Sequence, residues 1–99
     1  NSAIHILMEG TPPNVDLSEI TKIIENVKGV KRIYDLHIWT ITSGQNMLSC
    51  HVVVEGSLTV KETGEILLLI KQELEQQGIP HVTIQMESEE NMHLYKHKH

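Results

Sequence analysis

The chain has 99 residues, a formal net charge of −5, no Phe, one Trp, two Tyr and one Cys. That length makes one small domain with a modest, aliphatic core, one that gains from extra burial in an oligomer. Its eight Lys and Arg are scattered, so it lacks the basic stripe that a nucleic acid or an anionic lipid surface demands, and nucleic acid is excluded as a partner.

Ile4, Ile6, Leu7 and Met8 open the chain and are ended by Gly10 and Pro12–Pro13. The prolines favour an extended link, so this start is either a core-facing lead-in or the tail of a preceding helix. It lacks the charged opening of a signal peptide. Asp16-Leu17-Ser18-Glu19 reads as a capping box. Ile20, Ile23, Ile24 and Val27 follow at i, i+3, i+4 and i+7, which predicts a helix from about Leu17 to Lys28 with Gly29 as its left-handed stop.

Val30 to Thr42 alternates, with Ile33, Asp35, His37, Trp39 and Ile41 on one face and Tyr34, Leu36, Ile38 and Thr40 on the other. Its β-branched and aromatic content predicts a strand. Ser43-Gly44-Gln45-Asn46 is a turn cluster, and Met47 to Glu55 returns as the second strand of a hairpin. Thr59-Val60-Lys61-Glu62 is another capping box, opening a helix with Val60, Leu67, Ile70 and Leu74 on one side. Gly78 caps that helix and Pro80 prevents its return. Gly64 within it costs about 1 kcal/mol relative to Ala, which calls for a packing reason.

His81 to Glu87 is the last strand, with Val82, Ile84 and Met86 on one side and His81, Thr83, Gln85 and Glu87 on the other. Ser88 to His99 is a polar tail carrying His93, His97 and His99, expected to be loose. No run of about 18 apolar residues exists to cross a membrane. The order α-β-β-α-β predicts an α+β, ferredoxin-like domain, with two helices on one face of a three-stranded mixed sheet. The second and third strands run parallel through a right-handed crossover. Two helices leave the other sheet face uncovered. Ile33, Trp39 and Ile41 are assigned there, and Trp39 and Ile41 are the candidate contacts of a symmetric dimer, since Trp is enriched at interface hot spots.

Enzyme signatures are absent. Cys50 and His51 are adjacent on a strand and point to opposite faces, so they are poorly placed as a catalytic pair. Cys50 reads as a buried apolar residue in a reducing compartment. There is no Gly-rich phosphate loop and no CxxC for copper(I). The informative set is histidine and carboxylate, the donors that zinc takes. His37 and His51 lie on the two hairpin strands, and register decides whether they share a face. His81 and Glu87 share a face, but six residues along a strand separate them by nearly 20 Å, at about 3.3 Å per residue, so they cannot hold one ion. For His37 and His51 taken singly, a hydrogen-bonded or solvent-facing side chain stands level with the ligand reading, and for His81 it is the plainer one. A tail that scavenges metal weakly is the plainer reading of His93, His97 and His99.

Leu7-Met8-Glu9-Gly10-Thr11-Pro12-Pro13, Gly29-Val30, Asp35-Leu36-His37-Ile38-Trp39, Leu48-Ser49-Cys50-His51-Val52 and Thr83-Ile84-Gln85-Met86-Glu87 occur in that order. Together they resemble the C-terminal cytoplasmic domain of the cation diffusion facilitator family, proton-coupled exporters of zinc and related divalent ions, and look closest to its zinc/cobalt/cadmium branch. The resemblance runs from Ala3 to about Ser88. It implies a transmembrane domain of the same full-length chain preceding Asn1, with residues 1–13 as the lead-in, 89–99 as the tail and 1–99 as one cytoplasmic regulatory domain. It also implies a V-shaped homodimer that closes when zinc, cobalt, cadmium or a similar ion binds. Metal-site residues carried over are His51 and Glu87. Tyr34 and Gln85 stand where many or some members have His, so the resemblance implies one site, completed by His37, Asp35 or a partner chain, rather than a two-ion site. A small-molecule module or a purely structural dimer of the same outline is the alternative.

Overall fold

The computed structural model describes residues 6–7, as backbone only, and 15–89. Six elements follow in the order β1 (Ile6–Leu7), α1 (Leu17–Glu25), β2 (Val30–Thr40), β3 (Asn46–Val54), α2 (Val60–Gln76) and β4 (His81–Ser88). The strands form one sheet in the order β1-β2-β3-β4. β2 and β3 are the antiparallel hairpin, and β3 and β4 are parallel, as the α-β-β-α-β reading requires. The apolar start supplies a short fourth strand, parallel to β2, pairing Ile6 with Leu36 and Leu7 with His37. The His-bearing tail from residue 90 lies outside the described residues, as does most of the lead-in. No helix among the described residues is long and apolar enough to cross a membrane.

Helix ends fall where the capping residues put them. Asp16 accepts from the backbone N–H groups of Ser18 and Glu19 at the start of α1. At α2 the Thr59 hydroxyl accepts from the Glu62 N–H at 3.1 Å while the Glu62 carboxylate accepts from the Thr59 N–H at 2.9 Å, so two otherwise orphaned donors are satisfied together. The α2 C-terminus closes with Gly78 N–H on the Glu75 carbonyl and Ile79 N–H on the Leu74 carbonyl, both at 3.0 Å. This is a Schellman ending, and its left-handed residue is Gly78 at φ +80°. α1 stops at Glu25, three residues before the expected end, because Asn26 caps it and the chain must turn into β2 at Gly29. Gly29 has φ +100°, and an added Cβ there would meet Ile66 Cδ1 at 2.5 Å. The position therefore needs glycine for conformation and for space.

Both helices lie on one sheet face. Ile20 and Ile24 of α1 and Ile66, Ile70 and Leu74 of α2 pack on Ile33, Leu36 and Ile38 of β2 and on Leu48, Cys50, Val52 and Val54 of β3. Two expected assignments change. The buried face of α2 is Ile66, Ile70 and Leu74, whereas Val60 is 91% exposed and Leu67 only half-buried. Ile33 belongs to the core, not to the face of Trp39. The reason is a β-bulge: Tyr34 pairs with His51 and His37 with Ser49, so Asp35 and Leu36 together oppose Cys50. One extra residue reverses the side-chain alternation. Ile33, Leu36 and Ile38 face the helices, and Tyr34, His37 and Trp39 face the other way. Asp35 takes the strain of this device at φ +53°, a left-handed conformation for a non-glycine residue. β2 ends at Thr40, so Ile41 sits in the hairpin turn, its N–H on the Gln45 carbonyl and its carbonyl accepting from Gly44.

Candidate metal centre

The helix-free face of the sheet carries the chemistry. β3 is central, and alternation fixes its side chains: Leu48, Cys50, Val52 and Val54 are buried against the helices, which leaves Met47, Ser49 and His51 on the helix-free face. On either side of His51 the ladder places Tyr34 of β2 and Gln85 of β4, and Glu87 of β4 pairs with Val53. The bulge therefore answers the register question. His37 and His51 share a face, on adjacent strands and offset by one pair, because the hairpin slips by one residue between them.

Glu87 is the buried charged residue of this face, 3% exposed. It lies between three donors. The Tyr34 hydroxyl donates to Oε1, the His51 imidazole meets Oε2 through Nδ1, and Gln85 Nε2 donates to Oε2 at 3.0 Å. The Tyr34 and His51 rings stack, with centroids 4.6 Å apart and planes at 27°. A carboxylate removed from water needs such partners, since an unpaired buried charge is costly.

Beside this cluster lies a depression of about 240 Å³ lined by Asp35, His37, Ser49, Cys50, His51, Thr83 and Gln85. Of the predicted site residues, the structure thus brings His51 against Glu87, and places His51, His37 and Asp35 around one depression. It does not gather three His, Cys, Asp or Glu side chains into a single ion-binding group among the described residues. Trp39 is half-buried and faces the same side, and Ile41 lies beyond the strand in the turn. His81 is held by Gln45, Nε2 to Oε1 at 2.9 Å, an ordinary surface hydrogen bond far along β4 from Glu87. Burial pushes the Cys50 thiol up to about 12.

Sequence reasoning misses Tyr34, because an unbroken alternation puts it on the face opposite His37. The signal was available. Ile33, Leu36 and Ile38 cannot all be inward on an unbroken alternation, and a break between Ile33 and Leu36 puts Tyr34 beside His51.

The family model described as the cation efflux protein cytoplasmic domain matches residues 12–89. The chain belongs to this family. Among its relatives, the cadmium, cobalt and zinc/H(+)-K(+) antiporter of Bacillus subtilis is 58% identical over 91 residues, covering 92% of this chain and 29% of the antiporter. The metal cation efflux system protein CzcD of Cupriavidus metallidurans is 45% identical over 87 residues, covering 87% of this chain and 27% of that protein. This cation efflux domain thus spans under a third of the length of these relatives. Among solved structures, the metal-bound C-terminal domain of the Cupriavidus CzcD transporter matches with a TM-score of 0.67 and 44% identity, covering 74% of this chain and 99% of that one. The MamM C-terminal domain, 18% identical at a TM-score of 0.64, shares the fold.

Proposed function

We propose that this cation efflux domain is the metal-sensing and dimerising part of a proton-coupled transporter that exports zinc or a similar divalent ion. In this reading a second copy docks on the helix-free sheet face, with Trp39 and Ile41 at the contact. The metal site is centred on His51, with Glu87 as its carboxylate partner and Asp35 and His37 as further donors across the depression. Bound metal favours the closed, V-shaped dimer because it has higher affinity for that state, which is the only way a ligand shifts a conformational equilibrium. The transported ion is cargo of a membrane domain elsewhere in the full-length chain.

One observation carries the reading. His51 and Glu87, 36 residues apart in sequence, meet on the face that the helices leave free. Imidazole nitrogen and carboxylate oxygen are suitable donors for zinc, cobalt or cadmium. One chain does not supply the usual four ligands among its described residues, so water or the second copy completes the set. The names of the relatives, which specify cadmium, cobalt and zinc, support the same ion class. The alternative of a small-molecule module fits less well, because a depression of about 240 Å³ is smaller than the roughly 300–1,000 Å³ of ordinary ligand pockets.

The test is a zinc titration by calorimetry on chelator-treated protein, with small-angle scattering on the same samples. Stoichiometric binding with a more compact dimer is expected, and His51→Ala is expected to weaken binding at least about tenfold. Unchanged affinity in His51→Ala would remove this residue from the site. An unchanged dimer at saturating zinc would leave a constitutive dimerisation module.

A further inference from the structure

We infer that one ridge of α2, formed by Val60, Gly64 and Leu68, is a docking surface for a helix of the membrane domain that precedes residue 1 in the full-length chain. The inference rests on the transporter reading in needing that domain, and it is independent of the metal site.

The ridge is apolar, exposed and without a use inside the domain. The exposed large apolar side chains among the described residues are Val60, Leu68 and Leu69, all on α2. Val60 is 91% exposed and Leu68 56%. With Gly64 between them they recur at i, i+4 and i+8, one line along the helix about 12 Å long at 1.5 Å per residue. Gly64 is itself exposed, and a glycine weakens a helix interior relative to alanine. Its backbone is ordinary helix, so conformation does not require it. Space within the domain does not require it either, because an added Cβ would meet nothing within 4 Å. A gap flanked one turn away on each side by an apolar side chain is what lets a second helix approach closely.

Topology names the occupant. β1 runs parallel to β2, so the chain enters the domain at the end where β2 starts. Val30 at that end pairs with Val54, the last residue of β3, and α2 begins shortly after it, at Val60. The ridge therefore starts at the entry end. Most of the polypeptide lies beyond that end: the aligned 91 residues are 29% of the Bacillus subtilis antiporter, and the matched CzcD structure is the C-terminal domain of its transporter. A second copy is poorly placed to cover the ridge, because in the proposed function it docks on the sheet face opposite the helices. A lipid surface fits less well, since α2 carries Lys61 and Lys71 as its basic residues, short of the cluster that anionic headgroups attract.

The test compares maleimide labelling of the full-length chain, in detergent and in vesicles, with labelling of the 99-residue chain. Single cysteines are introduced as Val60→Cys, Leu68→Cys and, half a turn round the helix from Gly64, Glu73→Cys; the native Cys50 is buried. Val60→Cys and Leu68→Cys should label at least about tenfold more slowly in the full-length chain, one decade of a docking equilibrium, and Glu73→Cys equally in both. Gly64→Leu has room in the domain and should restore fast labelling in the full-length chain while the 99-residue chain keeps its circular dichroism. If Gly64→Leu unfolds the domain, Gly64→Ala takes its place, with the same direction expected. Equal rates in the two chains, or slow labelling that survives the Gly64 variant, would overturn the docking. Slow labelling confined to vesicles would assign the ridge to lipid, and slow labelling of the concentrated 99-residue chain would assign it to a second copy; either overturns the inference. A full-length chain that does not partition into membranes would overturn the transporter reading too, so the two failures are told apart.

Discussion

Deleting Asp35 should leave the fold intact and make it more stable. The bulge opposes Asp35 and Leu36 to the single residue Cys50, between the Tyr34–His51 and His37–Ser49 pairs. Without Asp35, Leu36 faces Cys50 alone and the ladder becomes regular from Tyr34 to Thr40. Every side chain keeps its face: Ile33, Leu36 and Ile38 inward, Tyr34, His37 and Trp39 outward. Three contributions favour the shorter chain. The left-handed Asp35 at φ +53° carries strain on the order of 1 kcal/mol. A restored ladder hydrogen bond contributes about 1 kcal/mol net. One fewer ordered residue avoids roughly 1–2 kcal/mol of backbone entropy. Against these stand the lost contacts of a half-buried side chain and the change in local twist that a bulge imposes. A net gain of about 1–3 kcal/mol is expected, which in a domain of this size raises the Tm by at least about 4 °C.

Thermal and urea melts followed by circular dichroism measure this directly. The control is deletion of His37, which removes one residue from the same strand but forces Asp35 into the core position of Leu36. That variant should unfold or lose more than about 3 kcal/mol, since it buries a carboxylate without a partner. A chain lacking Asp35 that is no more stable than the one lacking His37 would refute the account of the bulge. Under the proposed function the Asp35 deletion should also weaken zinc binding, because it removes a carboxylate from the depression. A fold that gains stability while the site loses affinity would mark the bulge as strain kept for function.

Gly29→Ala should destabilise by about 2–4 kcal/mol, from a side chain forced to φ +100° and from overpacking against Ile66. Adding Ile66→Val, which removes the clashing Cδ1, should return part of that loss in a double-mutant cycle of urea melts. Gly64→Ala should instead stabilise by about 1 kcal/mol, because the site is mid-helix and an added Cβ meets nothing within 4 Å; a loss would reveal a contact at this position. Cys50 gives an alkaline signature. Its thiol, normally near 9.0, is pushed up to about 12 by burial, so its contribution is fully present below pH 9 and is lost as pH rises from 9 to 12, by an amount on the order of 4 kcal/mol. The stability advantage of wild type over Cys50→Ala should shrink over that range, and an advantage constant with pH would contradict the burial argument. Alkylation of Cys50 in the folded chain at pH 8 should be slow for the same reason.

Local rules made the helix ends and the hairpin legible. Asp16, Thr59, Glu62 and Gly78 each have one job that their chemistry allows, and the structure gives each that job. The faces were harder. Ile66-Leu67-Leu68-Leu69-Ile70 is apolar at five successive positions, so periodicity does not say which side of α2 is buried. Only the sheet beneath selects Ile66 and Ile70 and leaves Leu68 56% exposed. In β2 an unbroken alternation predicts the faces, and the bulge between Tyr34 and His37 inverts the strand on one side of it. That one slip hid Tyr34 and misplaced Ile33.

The site was partly legible for the same physical reason. His51 is an outward position on a central strand whose neighbours Cys50 and Val52 are 3% and 0% exposed. Its backbone is therefore fixed by core packing on one face and by ladders to Tyr34 and Gln85 on both sides. Glu87 is fixed likewise by the parallel register of β4. Neither strand can move toward an ion without dismantling the core, whose packing is close to rigid. Metal binding at this place can reorient side chains but cannot bend the sheet. In the proposed function, any large change of shape must then arise between two copies, at the face carrying Trp39, and not within one. The prediction is a compacting dimer whose individual protomers keep their backbone, read as falling small-angle radius with unchanged amide shifts across the helix-facing core. Movement of those core amides on zinc binding would count against it.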